Sequence, residues 1–280
     1  MFRRWPSAAV ALVLLILTVF LAIPLIQRQR LDASKVEALN HLRSLGAFAQ
    51  LYSQAKGQPD ANTPVVVPPG TIFNATLKPD ERLSWLASML PFLEKKYDDP
   101  KKWNTAIDTK LAWNQGGNVD VGLERLHIVL LPGATATWPA GVSAPTQIVG
   151  LSGLGPESPL MDLSMGVPPR AGCFRYDAPT PLKLISQGDG TSQTILFLDV
   201  SADVGPWIRG GNSTLRWLDD SENAKPYLGP DGQFGGNYPG VTMMGKADGS
   251  GEFRRNNTDA AILRAMATIA AGDGLGKFVE

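Results

Sequence analysis

The residue that comes nearest to a nucleophile is Ser152, in the run Gly150-Leu151-Ser152-Gly153-Leu154-Gly155. A nucleophile elbow needs Gly-x-Ser-x-Gly, because small flanking residues permit its sharp turn. Leu154 stands where the second glycine belongs, and no acceptable base is evident in the sequence. The same glycines complete neither Gly-x-Gly-x-x-Gly nor a P-loop, so a phosphate cradle is not supported. The chain holds two histidines, His41 and His127, and one cysteine, Cys173. One thiol gives neither an internal disulfide nor Cys-x-x-Cys for zinc, and Cys173 reads as a small buried hydrophobe. His127 lies in an apolar run, where a core histidine is the simpler reading. His41 has no second ligand at helical spacing and reads as a surface or interface residue.

Asp219, Asp220 and Glu222, with Ser221 between them, are the remaining candidates. Adjacent carboxylates could give hard oxygen ligands to Ca²⁺, but EF-hand spacing is absent and a solvated loop is the simpler expectation. Trp103, Trp113, Trp138, Trp207 and Trp217 could stack on sugars or peptides, or pack inside a sheet domain. The sequence thus predicts no catalytic residue, no cofactor and no metal beyond that Ca²⁺ alternative.

The elements that would position these residues begin with an apolar segment. Residues 7–26 carry no charge, and twenty helical residues span about 30 Å, the hydrocarbon thickness of a bilayer. Arg3, Arg4 and Trp5 precede the segment as interfacial flanks. No small-x-small cleavage site follows it, so an uncleaved anchor is expected rather than a signal peptide. Arg28, Arg30 and Lys35 follow directly, and basic charge alone therefore leaves the orientation open. Lys+Arg and Asp+Glu both number 26, so no charge excess points to nucleic acid.

Beyond the anchor, Val36, Leu39, Leu42, Leu45, Phe48 and Tyr52 recur every three to four residues, an amphipathic helix. Gly57 and Pro59 end it, and Pro24 is the one interruption from Ser7 to Lys56. The 29 glycines and 22 prolines exceed their average usage of about 7% and 5%, which predicts many turns in the remainder. The pattern predicts a short helix over 81–97 bent at Pro91, and a strand over Leu126–Pro132. It predicts a buried strand over Gln193–Ser201 and a closing helix after Asn257 or Thr258 that ends at Gly272. Asp248-Gly249 predicts a two-residue type I′ hairpin, which would pair Gly245 with Glu252 and Met244 with Phe253. This order of elements is α+β with a mainly antiparallel sheet. Three regions result: a membrane anchor over 1–30, an amphipathic spine helix over 31–57 and a soluble α+β domain over 58–280.

Several of these runs together resemble a known family. "AIPLIQRQRLDASKVEALNHLRSLGAFAQLYSQAKG" is similar to a pilin-type helix that leaves the membrane at a proline. "RLSWLASMLPFLE", "GLSGLG", "RAGCFRYDAPTPLKLISQGDGTSQTILFLDVS", "GPWIRGGNST" and the glycine-rich tail resemble domain-of-unknown-function family 1559, pilin-like proteins abundant in planctomycete bacteria. The family's tail motif is His, nine residues, then Asp-Gly. Tyr238, Asp248 and Gly249 occupy those positions here, with Tyr in place of His. The family's N-terminal assembly glutamate corresponds to Ser7, and Phe2-Arg3 replaces its Gly-Phe cleavage site.

The resemblance implies a pilin-like long helix packed on the sheet domain, with Val36, Leu39, Leu42, Leu45 and Phe48 as the helix interface. It implies a non-enzymatic, pseudopilin-like structural or assembly component of the cell envelope or a type II secretion-like apparatus. Its partners would be the lipid bilayer and other pilin-like subunits or secretion proteins. The chain would cross the inner membrane once, with its N-terminus in the cytoplasm. The alternative reading is a membrane-tethered binding module for glycan or peptide, built on exposed rings at Trp207 and Trp217.

Overall fold

A computed structural model describes residues 5–56, 65–92, 107–133, 138–139 and 141–270. Gly57, Pro59, Trp103 and Gly272, named above, lie outside these, as do residues 1–4 and the side chains of Ser7 and Phe48. Helix α1 runs from Trp5 to Lys56 without a break, 52 residues with Pro24 inside. Proline removes one main-chain N–H from the helical ladder. Uncharged neighbours, Ala22, Ile23, Leu25 and Ile26, flank it, and the helix continues past it. The large apolar side chains from Val10 to Ile26 are exposed, among them Phe20 at 77%. This helix is long and apolar enough to cross a membrane.

After α1 come β1 (Val66–Val67), α2 (Trp85–Met89), α3 (Gly117–Leu123), β2 (Ile148–Leu154), β3 (Thr180–Pro181) and α4 (Leu182–Gln187). They are followed by β4 (Ile195–Asp199), β5 (Leu215–Leu218), β6 (Val241–Lys246), β7 (Gly251–Arg255) and α5 (Ala260–Ala267). Five strands form the main sheet in the order β5-β2-β4-β6-β7, antiparallel except for the parallel β2–β5 pair. A separate two-stranded ladder joins β1 to β3. The fold is α+β with a mixed, mainly antiparallel sheet.

Both faces of the sheet are covered. One carries Phe197, Met243 and Leu215, packed with Trp85, Phe174, Leu42 and Leu45 in the larger core. The other carries Val149, Leu198 and Met244 under Leu263 and Met266 of α5. A strand covered on both faces has no polar side to show, which is why "ILFLD" in β4 is apolar nearly throughout and wholly buried.

Four local expectations need correction. The first helix of the soluble part begins only at Trp85, with Ser84 as N-cap, and turns 3₁₀ over Leu90–Phe92 where Pro91 cannot donate. Leu83 pairs instead with Arg209 in an isolated bridge. Residues His127–Val129 form a 3₁₀ turn rather than a strand, and His127 is exposed, not a core residue. Gln147 replaces the ladder there: its main-chain N donates to Val129 O at 2.9 Å and its side-chain Oε1 accepts Leu131 N at 2.8 Å. Asp259, not Asn257 or Thr258, caps α5, its carboxylate accepting Ala261 N at 2.7 Å, and the helix ends at Ala267 with Thr268 extended rather than running to Gly272.

The fourth correction is the hairpin register. Met243 faces Phe253, Met244 faces Glu252 and Gly245 faces Gly251, one residue away from the two-residue turn. Lys246 N bonds Ser250 O at 2.8 Å around a three-residue loop, and Gly249 N bonds Lys246 O at 3.0 Å. Gly249 takes φ 84°, the left-handed conformation that closes such a loop with a bulge. The Asp248 carboxylate accepts Ser250 N at 2.8 Å and holds the turn. A one-residue slip exchanges faces, so Met243 joins the α1 side and Met244 the α5 side.

Candidate functional site

The tail motif lies directly under α1. Tyr238 is buried, its ring meeting Phe253 edge-on at 5.2 Å and its hydroxyl donating to Pro132 O at 3.2 Å. Ser34 of α1 lies within hydrogen-bond reach of the phenol, and the Lys35 ammonium stands 5.8 Å from the Phe253 ring centre. At the other end of β6, a side-chain carbon on Gly46 would come within 2.7 Å of Gly249 Cα, so helix and turn meet backbone to backbone. Ser34 and Gly46 are twelve residues apart, about 18 Å along a helix. The six residues of β6 extend about 20 Å. The spacing of Tyr238 and Asp248-Gly249 therefore matches the length of helix that they hold.

Between these ends, glycines make the seat. A Cβ at Gly245 would lie 3.4 Å from Leu42 Cδ2, and one at Gly251 would lie 3.2 Å from Leu39 Cδ2. Larger side chains on β6 and β7 would lift the helix off the sheet. Of the predicted interface, Leu42 and Leu45 are buried and Leu39 is half-buried. Val36 is 59% exposed and does not face the sheet; Ala38 and His41 are buried in its place. The stripe turns by that much because Gly46 sets the azimuth of the helix.

Beneath Tyr238 runs a polar relay that joins four distant segments. A main-chain N–H can only donate, so Leu131 N holds Gln147 with Oε1 toward it. Gln147 Nε2 then donates to Asn237 Oδ1 at 3.2 Å, and Asn237 Nδ2 to Asp199 Oδ2 at 2.8 Å. From β6, Met243 N donates to Asp199 Oδ1 at 2.6 Å. Both oxygens of Asp199 thus receive donors, the arrangement of an ionised carboxylate. Burial opposes that charge and is the larger influence, pushing the Asp199 pKa up to about 6 despite the hydrogen bonds. The Tyr238 phenol is pushed up to about 12, first by burial and then by the charge of Asp199, so it stays a donor. None of this relay was legible beforehand; a lone Asp ending an apolar strand was the only available sign.

The other predicted residues do not converge. Ser152 is buried, its hydroxyl 2.9 Å from that of Ser158 and 3.2 Å from Arg216 O, with no histidine in the described contacts. Cys173 is fully buried, and burial pushes its thiol up. Both oxygens of Asp220 are held by Arg170, at 2.7 and 2.9 Å, and this fork keeps the carboxyl below its ordinary range. Asp219 accepts Ser221 N, and Glu222 is exposed. Among the described residues, no three His, Cys, Asp or Glu side chains come together, those three included. Trp207 is fully buried and donates to Glu124 O at 2.8 Å, so it offers no ligand surface. Trp217 is half-buried and lines a cleft of about 700 Å³.

Arg216, Arg209, Asp80 and Asp203 supply the charged groups of that cleft. Comparison of the chain with protein-family models, with curated proteins and with solved structures finds no match in any of the three.

Proposed function

We propose that this protein is a non-enzymatic, membrane-anchored structural component of the cell envelope or a secretion apparatus, of pilin- or pseudopilin-like build and related to family 1559. The observation that carries this reading is the single helix α1. Its first half exposes apolar side chains from Val10 to Ile26, and its second half is seated on the glycines of β6 and β7. A continuous helix transmits position, so the sheet domain cannot swivel freely on its anchor. On this reading the N-terminus lies in the cytoplasm and the sheet domain across the inner membrane, as the resemblance to a pilin-type spine implies. The exposed apolar half would lie in lipid or against other helical subunits.

Membrane fractionation tests the reading. The full chain is expected to stay in the pellet through salt and alkaline washes, and a chain lacking residues 1–26 to be released. Recovery of the intact chain in the soluble fraction would overturn it. Mass analysis of the mature N-terminus then separates a static anchor, with Met1 or Phe2 retained, from a processed filament subunit.

A further inference from the structure

The cleft beside β5 has no part in seating α1, and its chemistry points to a ligand. Its floor includes Trp217, whose indole, unlike those of Trp85, Trp138 and Trp207, donates to no described residue. A half-exposed ring without a polar partner offers a flat apolar face in a hollow that also holds Pro79, Pro156 and several charged groups. Around it stand two guanidinium groups, Arg209 and Arg216, and two carboxylates, Asp80 and Asp203. Two positive and two negative charges balance, so the cleft does not select an ion of either sign. Asn212, exposed at the rim, adds an amide that both donates and accepts.

The walls are already in place. Arg216 ties three carbonyls together, Asn212 O at 3.2 Å, Ala202 O at 3.2 Å and Asp203 O at 2.6 Å. Arg209 Nε holds Asp80 O at 3.0 Å, and its guanidinium stands 5.6 Å from the centre of the Trp113 ring. The Tyr176 hydroxyl reaches Asn212 Oδ1 at 3.4 Å. Asp203 is the one non-glycine described residue with positive φ, 52°, a conformation held here by the Arg216 bond to its carbonyl. Strained backbone of this kind concentrates at ligand sites, because the surrounding structure must hold it. Preorganised walls of this kind lower the ordering cost of binding.

We propose that this cleft is a binding site for an uncharged saccharide, with a sugar ring on the Trp217 face and its hydroxyls shared among Asp80, Asp203, Arg209 and Asn212. Each sugar hydroxyl donates and accepts, so it needs acid and guanidinium neighbours together. A phosphate or sugar acid would need an excess of cations, which Asp80 and Asp203 cancel. A peptide adding to the sheet edge would find only the four residues of β5. The site is independent of the anchoring role, and either can fail alone.

The test uses the full chain in detergent micelles, titrated with tetra-N-acetylchitotetraose, cellotetraose and maltotetraose while tryptophan fluorescence and ligand saturation-transfer NMR are read. Oligogalacturonate, inorganic phosphate and a neutral tetrapeptide are the competing probes. At least one neutral sugar is expected to bind saturably, with Kd of about 1 mM or tighter. Trp217→Ala should weaken that binding at least about tenfold, and Trp217→Phe less. Asn212→Ala, at an exposed position, serves where Trp217→Ala unfolds the chain, and should also weaken binding. The proposal is overturned if no neutral sugar saturates, if only an anionic probe or the tetrapeptide binds, or if sugar binding survives these substitutions in folded protein.

Discussion

Asp199→Asn isolates the buried charge in the relay. The side chain keeps its shape and loses its titration, so the comparison with the parent protein reports the carboxylate alone. In the unfolded chain an aspartate titrates near 3.8, whereas in the fold burial raises it to about 6. Between these values the folded state binds more protons than the unfolded one, so the contribution of Asp199 to stability is full below about 3.8. It falls as pH rises toward about 6 and is flat above that. At about 1.36 kcal/mol per pKa unit, a difference of about two units amounts to roughly 3 kcal/mol across the window.

Asparagine also carries a pH-independent offset. Its Nδ2 would oppose that of Asn237, whose orientation is fixed through Gln147 by Leu131 N, and one unmet donor costs about 1–3 kcal/mol. The absolute stability of the variant mixes the two effects; its pH dependence does not. Urea unfolding of the full chain in micelles, followed by near-UV circular dichroism from pH 4 to pH 7, gives the difference between the two proteins. The variant should gain on the parent by up to about 3 kcal/mol as pH rises through that window. Carboxyls held low by partners, Asp220 by Arg170 and Asp162 by Ser164, lose stability at the acid end in both proteins and cancel. A difference that stays constant from pH 4 to pH 7 would refute the assignment of a strained charge to Asp199.

Two further substitutions probe the helix seat. Gly46→Leu forces a side chain against Gly249 Cα, a backbone atom that cannot rotate aside, and should destabilise by about 1–3 kcal/mol or more. Thermal unfolding reads this, and an unchanged melting temperature would show that helix and turn are not held at this distance. Tyr238→Phe keeps the ring against Phe253 and removes the hydroxyl's bond to Pro132 O and its contact with Ser34, for a loss of about 0.5–1.5 kcal/mol per bond in denaturant titration. A far larger loss would mean that the hydroxyl anchors more than these two groups.

Features that a few neighbouring residues decide were legible in the sequence. Helix α1 follows from an uncharged run joined to a 3.6-residue stripe, both local patterns. β4 was legible as an apolar run, and the hairpin from Asp248-Gly249. Its register was not, because Asp-Gly suits either a two-residue or a three-residue loop. The choice depends on which methionine must share a face with Phe253 and Tyr238 beneath α1. Val36 fits the helical stripe as well as Leu42 does, yet contact of Gly46 with Gly249 and of Leu39 and Leu42 with Gly251 and Gly245 selects the face that is buried. The same holds for Leu126–Leu131, strand-like in composition but paired with a glutamine instead of a ladder.

Asp199, Asn237, Gln147 and Leu131 share no spacing that a sequence reader could find. Their relay exists because β4, β6 and two loops arrive at one point, and hydrogen-bond polarity then sets the charge. Trp207 and Trp217 look alike in the chain, ten residues apart in a glycine-rich region. Burial under Glu124 separates one, and the opening beside β5 leaves the other free to meet a ligand. Local pattern determined the elements and the membrane-length helix. Register, azimuth, the buried charge and the exposed ring were settled by contacts between residues far apart in the chain, where packing and desolvation act and sequence spacing carries no information.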